Sequence, residues 1–235
     1  FKQKTAYEIS TRDWSSDVCS SDLPMMITAL RARARERLLP TPSIESFDPD
    51  HLPKQGDHRL ADNLAPADGR LHRPAAVLVP IIARDQSATL LLTERSKHLK
   101  DHPGQIAFPG GKIDPLDVDP RAAALREAEE EIGLDRNFVD ALGYLDPYLT
   151  STGFRIIPLV AIITPGFTLT LDPREVESTF EVPFDFLMNP VHHEIHQREW
   201  RGAERRYFAM PYENRYIWGV TAGIIRSLYE RLYAP

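Results

Sequence analysis

Between Phe108 and Leu134 the chain reads FPGGKIDPLDVDPRAAALREAEEEIGL, and no other stretch constrains the fold as tightly. Asp119 offers an N-cap oxygen, Pro120 suits a first helical turn, and Gly133 suits the residue that stops a helix. Together they predict a helix over 120–132. Ala122, Ala123, Leu125 and Ala128 supply apolar positions to set against a sheet. Glu127, Glu130 and Glu131 stand at i, i+3 and i+4, so three carboxylates project from one side. Carboxylates that close repel one another unless a cation sits among them. Hard divalent ions that serve phosphates, above all Mg²⁺, take oxygen ligands of this kind. A solvated acidic face is the ordinary alternative, but Gly110, Gly111 and Arg126 fit the metal reading as well. The two glycines permit a tight turn and a close approach of backbone to phosphate.

The pattern Gly111, Arg126-Glu127, Glu130-Glu131 and Gly133-Leu134 resembles the Nudix box, G-x5-E-x7-R-E-U-x-E-E-x-G-U with U aliphatic. Ala128 stands at the first U. Gly111 lies one residue too far from Arg126, and the expected early Glu falls on Val118. Asp114, Asp117 and Asp119 are the available substitutes. Upstream, Leu91-Leu92-Thr93-Glu94-Arg95-Ser96, Lys100, Gly104 and Phe108-Pro109-Gly110-Gly111 resemble the signature LLTxRSx3Rx3Gx3FPGG of the coenzyme A pyrophosphatase subgroup. Lys100 stands where that signature has Arg, which keeps the charge and loses the bidentate fork. Downstream, Tyr207-Phe208, Tyr216-Ile217-Trp218-Gly219 and Thr221-Ala222 are similar to the C-terminal end of the subgroup. The resemblance runs from Ala75 to Leu232.

That resemblance implies an α/β protein, a Nudix-type α/β/α sandwich with a mixed β-sheet. It implies metal-dependent hydrolysis of the pyrophosphate bond of coenzyme A or its derivatives, to 3′,5′-ADP and 4′-phosphopantetheine. Mg²⁺ or Mn²⁺ would be held by Glu127, Glu130 and Glu131, with the backbone carbonyl of Gly111. Glu127, Glu130 and Arg126 form the expected catalytic set, Arg126 orienting the carboxylates through ion pairs. Substrate contacts are expected at Arg95, Ser96, Lys100, Gly104, Phe108 and Gly110. The general base stays open between a box glutamate and Glu175 or Glu177. Two other functions stay open: pyrophosphohydrolysis of a different nucleotide, and a catalytically silent nucleotide-binding module. The acidic triad weighs against the silent module, since binding alone needs no metal-activated water.

A chain of 235 residues with 42% hydrophobic content suffices for one sizeable core. Net charge −6 and a sequence pI near 5.8 argue against a general nucleic-acid binder. No apolar run approaches the length of a membrane-crossing helix. A lone cysteine, Cys19, fits a reducing compartment, so cytoplasmic residence is expected; a homodimer is compatible with all of this. There is no Walker A loop and no GxGxxG. Asp114 to Asp119 lacks the glycine and glutamate of a calcium loop. His192-His193-Glu194-Ile195-His196 is not HExxH and reads as a polar strand edge.

Arg12 to Leu23, RDWSSDVCSSDL, resembles a translated sequencing adapter, so residues 1–24 are read as a non-native leader with the native start at Met25 or Met26. Residues 25–74 read as an N-terminal helix and arm, and 75–235 as the hydrolase domain. The helix, Ile27 to Leu39, would pack by Leu30, Leu38 and Leu39, with Arg31, Arg33, Arg35 and Arg37 spread around it. Ala75–Ala83 and Thr89–Thr93 read as a hairpin around Arg84–Ser87. Strands are predicted at Phe138–Leu145 and Arg155–Thr164 with Gly153 in the turn between them, and a short helix at Pro183–Met188. Ile195–Trp200 and Arg205–Met210 read as a hairpin around Gly202, and Ile217–Tyr233 as a final helix.

Overall fold

The computed structural model describes residues 22–48, 50–60, 72–84, 87–200 and 203–234. Most of the leader, Cys19, and the two turns at Asp85-Gln86 and Gly202 lie outside the described residues. Helix α1 (Asp22–Arg37) rests on Leu30, Ala34 and Leu38, which are buried at i, i+4 and i+8. Its arginines are not merely solvated: Arg31 pairs with Asp140, Arg33 lies over Tyr233, and Arg37 donates to the Ala234 carbonyl at 2.9 Å. The arm after it includes the two-residue strand β1 (Gln55–Gly56) and short helical turns at Ile44–Ser46 and Asp57–Leu60. The buried Arg155 guanidinium anchors this arm by donating to the carbonyls of Asp48 and His51. Asp57 accepts from the Tyr148 hydroxyl at 3.0 Å and the Ser151 N–H at 2.8 Å.

In chain order the rest comprises β2 (Arg73–Arg84), β3 (Ser87–Arg95), β4 (Ile106–Ala107), β5 (Gly110–Lys112), α2 (Pro120–Ile132), β6 (Val139–Tyr144), β7 (Tyr148–Leu149), β8 (Phe154–Ile163) and β9 (Val176–Pro183). They are followed by α3 (Phe184–Leu187), β10 (Glu194–Trp200), β11 (Ala203–Tyr212), β12 (Arg215–Trp218) and α4 (Val220–Leu232). β2 is the spine. It pairs antiparallel with β3 and β5 and parallel with β8, from Arg73↔Phe154 to Ile82↔Ile163. β1 to β9 form one mixed sheet, and β10 to β12 a small antiparallel one.

Strand alternation explains the layers. Val77, Val79 and Ile81 of β2 point into one core with Val160 and Ile162 of β8, where α1, α3 and α4 pack. Ala76, Leu78 and Ile82 point the other way with Leu159, Ala161 and Ile163, against Ala123, Ala124, Ala128 and Ile132 of α2. Helices therefore cover both faces, as expected of an α/β/α sandwich.

Beyond the short strands β1, β4, β5 and β7 and the shifted bounds of α1, two departures from the sequence reading bear on the site. Ile217 and Trp218 belong to strand β12, not to the last helix, because Gly219 at φ 65° breaks the chain between strand and helix. β9 was not expected; its polar Glu177, Ser178 and Thr179 mask the alternation that buries Val176 and Val182. Among the described residues no helix is long and apolar enough to cross a membrane.

Candidate functional site

Helix α2 forms as its end signals dictate. The Asp119 carboxylate accepts the Ala122 N–H at 2.7 Å, and Gly133, at φ 66°, closes the C-terminus against the Ala128 and Glu129 carbonyls. Ala123, Ala124 and Ala128 bury against the sheet, with Ala122 only half-buried. This seats the acidic side of the helix over the Gly110-Gly111 turn of β5. The fit is close: a Cβ on Gly111 would lie 2.6 Å from the Glu127 carboxylate. The Gly110 N–H donates to Glu131 Oε2 at 3.1 Å.

The three glutamates do not share one environment. Glu131 turns inward, with its side chain 4% exposed, while Glu130 is 59% exposed. Successive helical residues diverge by about 100°, so i+3 and i+4 share a side without sharing a depth. Among the described residues no three His, Cys, Asp or Glu side chains stand close enough to hold a metal ion together. Arg126 lies between Glu127 and Glu130 and donates to both.

Arg126 is the hub. It donates to Asp117 at 3.0 and 2.9 Å, to Glu127 at 3.1 Å, to Glu130 at 2.9 Å and to the Lys112 carbonyl at 3.2 Å. Asp114, more exposed, stands 3.8 Å away. Asp119 is spent on the helix cap. Asp117, almost wholly buried, is therefore the acidic partner from the loop, and its hydrogen bonds to Arg126 hold its carboxyl below the ordinary aspartate range. Asp117 lies six residues after Gly111, the spacing of the first half of the box. The extra residue falls between Asp117 and Arg126. Counting forward from Gly111 rather than back from Arg126 would have found it.

Burial pushes the Glu131 carboxyl up to about 7, against the opposing pull of the Gly110 N–H and of Arg95, whose guanidinium is 3.9 Å away. Burial raises Glu127 as well, and Arg126 opposes it. The charge of Glu175, in the turn before β9, adds to the upward push on both. Glu177 sits on β9, and it and Glu175 are both exposed. Buried carboxylates that burial and mutual repulsion both disfavour are the donors a hard divalent cation relieves. Glu127 and Glu131, with Glu130 and the Gly111 carbonyl beside them, fit such an ion in chemistry.

From Gly110 and Arg95 a cavity of about 610 Å³ opens toward the small sheet. Arg95, Lys100, Phe108 and Gly110 line it, as the sequence led us to expect of substrate contacts. Ser96 and Gly104 are not among its lining residues. Ser96 is buried and gives its N–H to the Glu175 carbonyl at 2.8 Å. Gly104, at φ 67°, turns the loop and donates to the Arg95 carbonyl at 3.1 Å. Both position the wall instead of forming it. The opposite wall, with Arg198, Arg205, Tyr207 and Trp218, was not foreseen as a site. The histidine run is a strand edge only at His196, which pairs with Glu194 at 2.5 Å; His192 ends a short helical turn and stacks on Phe186, and His193 contacts the Leu187 carbonyl at 2.7 Å.

A model of the NUDIX domain matches residues 72–209. Over 157 residues the chain is 43% identical to proteins described as uncharacterized Nudix hydrolase NudL from Escherichia coli O7:K1 (strain IAI39 / ExPEC) and Escherichia coli (strain K12), covering 67% of this chain and 81% of each relative. Among solved structures, a Caenorhabditis elegans Ap4A hydrolase binary complex aligns with TM-score 0.42 at 20% identity, over 47% of this chain and 80% of that one. The NUDIX domain of Shewanella oneidensis NrtR, complexed with ADP ribose, aligns with TM-score 0.45 at 17% identity, over 74% and 97%.

Proposed function

This chain belongs to the Nudix family of hydrolases, and we propose that its substrate is coenzyme A or a derivative, cleaved at the pyrophosphate bond to 3′,5′-ADP and 4′-phosphopantetheine. One observation supports this above others. Arg95, Lys100, Phe108 and Gly110, all from the LLTERS…FPGG segment, line a single cavity, and Gly110 in that lining gives its N–H to the buried Glu131 carboxylate of α2.

A divalent ion, Mg²⁺ or Mn²⁺, supplies neutralisation of phosphate charge and lowers the pKa of a bound water. Glu127 and Glu131 would hold it, with Glu130 and the Gly111 carbonyl as further donors. Arg126, clamped by Asp117, fixes the rotamers of Glu127 and Glu130. Arg95 and Lys100 bring positive charge to the diphosphate, where two anionic groups otherwise repel an incoming nucleophile. Glu175 is the proton acceptor we assign, because its charge acts on both carboxylates from a separate turn and it is not bound into the Arg126 network.

Incubating the purified protein with coenzyme A, NADH, ADP-ribose and nucleoside triphosphates in Mg²⁺ tests the proposal. Coenzyme A is expected to give 3′,5′-ADP and 4′-phosphopantetheine. Cleavage of nucleoside triphosphates alone would overturn the substrate, and no cleavage of any would overturn the activity.

A further inference from the structure

The wall of the cavity that the catalytic account leaves unused is the outer face of the small sheet. Ile217, wholly buried, turns inward from β12, so its neighbours Tyr216 and Trp218 turn outward. Tyr207 of β11 and His196 and Arg198 of β10 fall on that same face by register. Trp218 and Tyr207 remain half-buried, and Tyr216 is 40% exposed. Aromatic side chains of this size ordinarily bury more fully.

Their planes are fixed. Tyr207 and Trp218 meet at 5.2 Å and 62°, while Tyr216 and Trp218 stack at 6.3 Å and 27°. His196 Nδ1 and the Tyr216 hydroxyl are 2.7 Å apart, in hydrogen-bond contact. Arg198 lies over Trp218 at 4.7 Å. A guanidinium layered on an indole makes a flat, cationic, π-compatible surface. The face is also anchored to the catalytic side. Arg215 pairs with Glu94, the residue before Arg95, and the Thr221 hydroxyl donates to the Ile106 carbonyl at 2.8 Å.

We propose that Trp218 and Tyr207, with Arg198 layered on Trp218, form the platform on which the adenine base of the substrate stacks. This rests on the reading of the protein as a nucleotide pyrophosphohydrolase. Three features of the wall select this occupant. Ring faces suit a base, since every base presents a π-face to aromatic side chains. The arginines of the same face, Arg198 and Arg205, complement a phosphorylated nucleoside and not a neutral thiol chain. The cavity is continuous with Gly110 and Arg95, so a base seated here leaves its diphosphate to run toward α2.

Calorimetric titration of the full chain in Mg²⁺ with AMP, and separately with 4′-phosphopantetheine, tests this. Trp218→Leu should weaken AMP on the order of ten-fold, and Trp218→Phe, which keeps a ring, should restore most of it. Binding of 4′-phosphopantetheine should stay within about two-fold, as expected when stacking alone is removed. Tyr207→Leu, whose folding is checked by circular dichroism beside Trp218→Leu, is expected to weaken AMP in the same direction. In turnover the loss should fall on KM and leave kcat nearly unchanged. Unchanged AMP binding in both leucine variants would overturn the platform, as would loss of 4′-phosphopantetheine binding in place of AMP. AMP is common to coenzyme A, NADH and ADP-ribose, so the test keeps its force if coenzyme A is the wrong substrate.

Discussion

At one end of the cavity the charged groups come from a single helix and the loop before it, Asp117 to Glu131. At the other they are spread over β10 to β12, residues brought together only when the tail of the chain has paired into a sheet. The acidic end is held mainly by Arg126, whose carboxylate partners Asp117, Glu127 and Glu130 lie within nine residues of it, with Arg95 of β3 beside Glu131. The aromatic end is held by cross-strand register and by two ties to the main sheet. Local construction suits atoms that must stand within a few tenths of an ångström of a reacting phosphate. Non-local construction suits a wall that sets which molecule enters.

The comparison breaks most visibly at the acidic end. Glu127→Gln or Glu130→Gln should lower kcat/KM by more than about 100-fold, since even partners of metal ligands cost about 10–100-fold. Thermal unfolding should stay cooperative, because each change removes a charge and keeps the shape. Retained turnover would show that α2 does not carry the metal.

Asp117→Asn comes next. It removes the charge that clamps Arg126 and should cost about 10–100-fold in kcat/KM, with a stability loss of about 1–3 kcal/mol for the charged hydrogen bonds. Steady-state kinetics and denaturant melts measure both. An active Asp117→Asn protein would return the role to Asp114.

Gly111→Ala separates site from scaffold. Its Cβ would meet only the tip of a flexible side chain, Glu127, and the backbone there is not left-handed. Turnover should fall on the order of ten-fold while the melting temperature moves little. Gly110→Ala should instead unfold the region, because at φ 149° its Cβ would lie 2.4 Å from the Ala76 carbonyl. Equal melting temperatures for the two variants would contradict the contrast.

The smallest effect is a pH dependence of stability. Glu131 titrates near 7 when folded, above the ordinary glutamate range, so between about 4.5 and 7 the folded chain holds a proton that the unfolded chain releases. Without metal, stability should therefore fall as pH rises through that window, and Glu131→Gln should flatten the fall. Mg²⁺ binds the ionised carboxylate, so it should raise the melting temperature more at pH 8 than at pH 5. Equal shifts at the two pH values would detach Glu131 from the metal.

The two ends also differed in how far the sequence disclosed them. Helix α2 was legible to the residue because Asp119, Pro120 and Gly133 act within a turn of where they stand. The cavity wall from the LLTERS segment includes Arg95, Lys100, Phe108 and Gly110, while Ser96 and Gly104 enter the structure through backbone hydrogen bonds beside it. Asp117 was visible among three aspartates but not singled out, because loop conformation decides which one reaches Arg126. The platform was not legible as a site. Tyr216 and Trp218 form a face only through pairing with β11, and the run YIW reads as readily as the start of a helix. Glu175 stood among the candidates, but only the pairing of β9 with β3 brings its turn beside Ser96 and the segment before α2.

The central claim is that one cavity seats a nucleotide and presents its diphosphate to the α2 carboxylates. The most direct measurement is chromatography of the products after coenzyme A is incubated with the Mg²⁺-loaded protein, beside the Glu127→Gln variant. We predict equal amounts of 3′,5′-ADP and 4′-phosphopantetheine from the natural sequence and neither from the variant. Intact coenzyme A in both, or the same products in both, would contradict it.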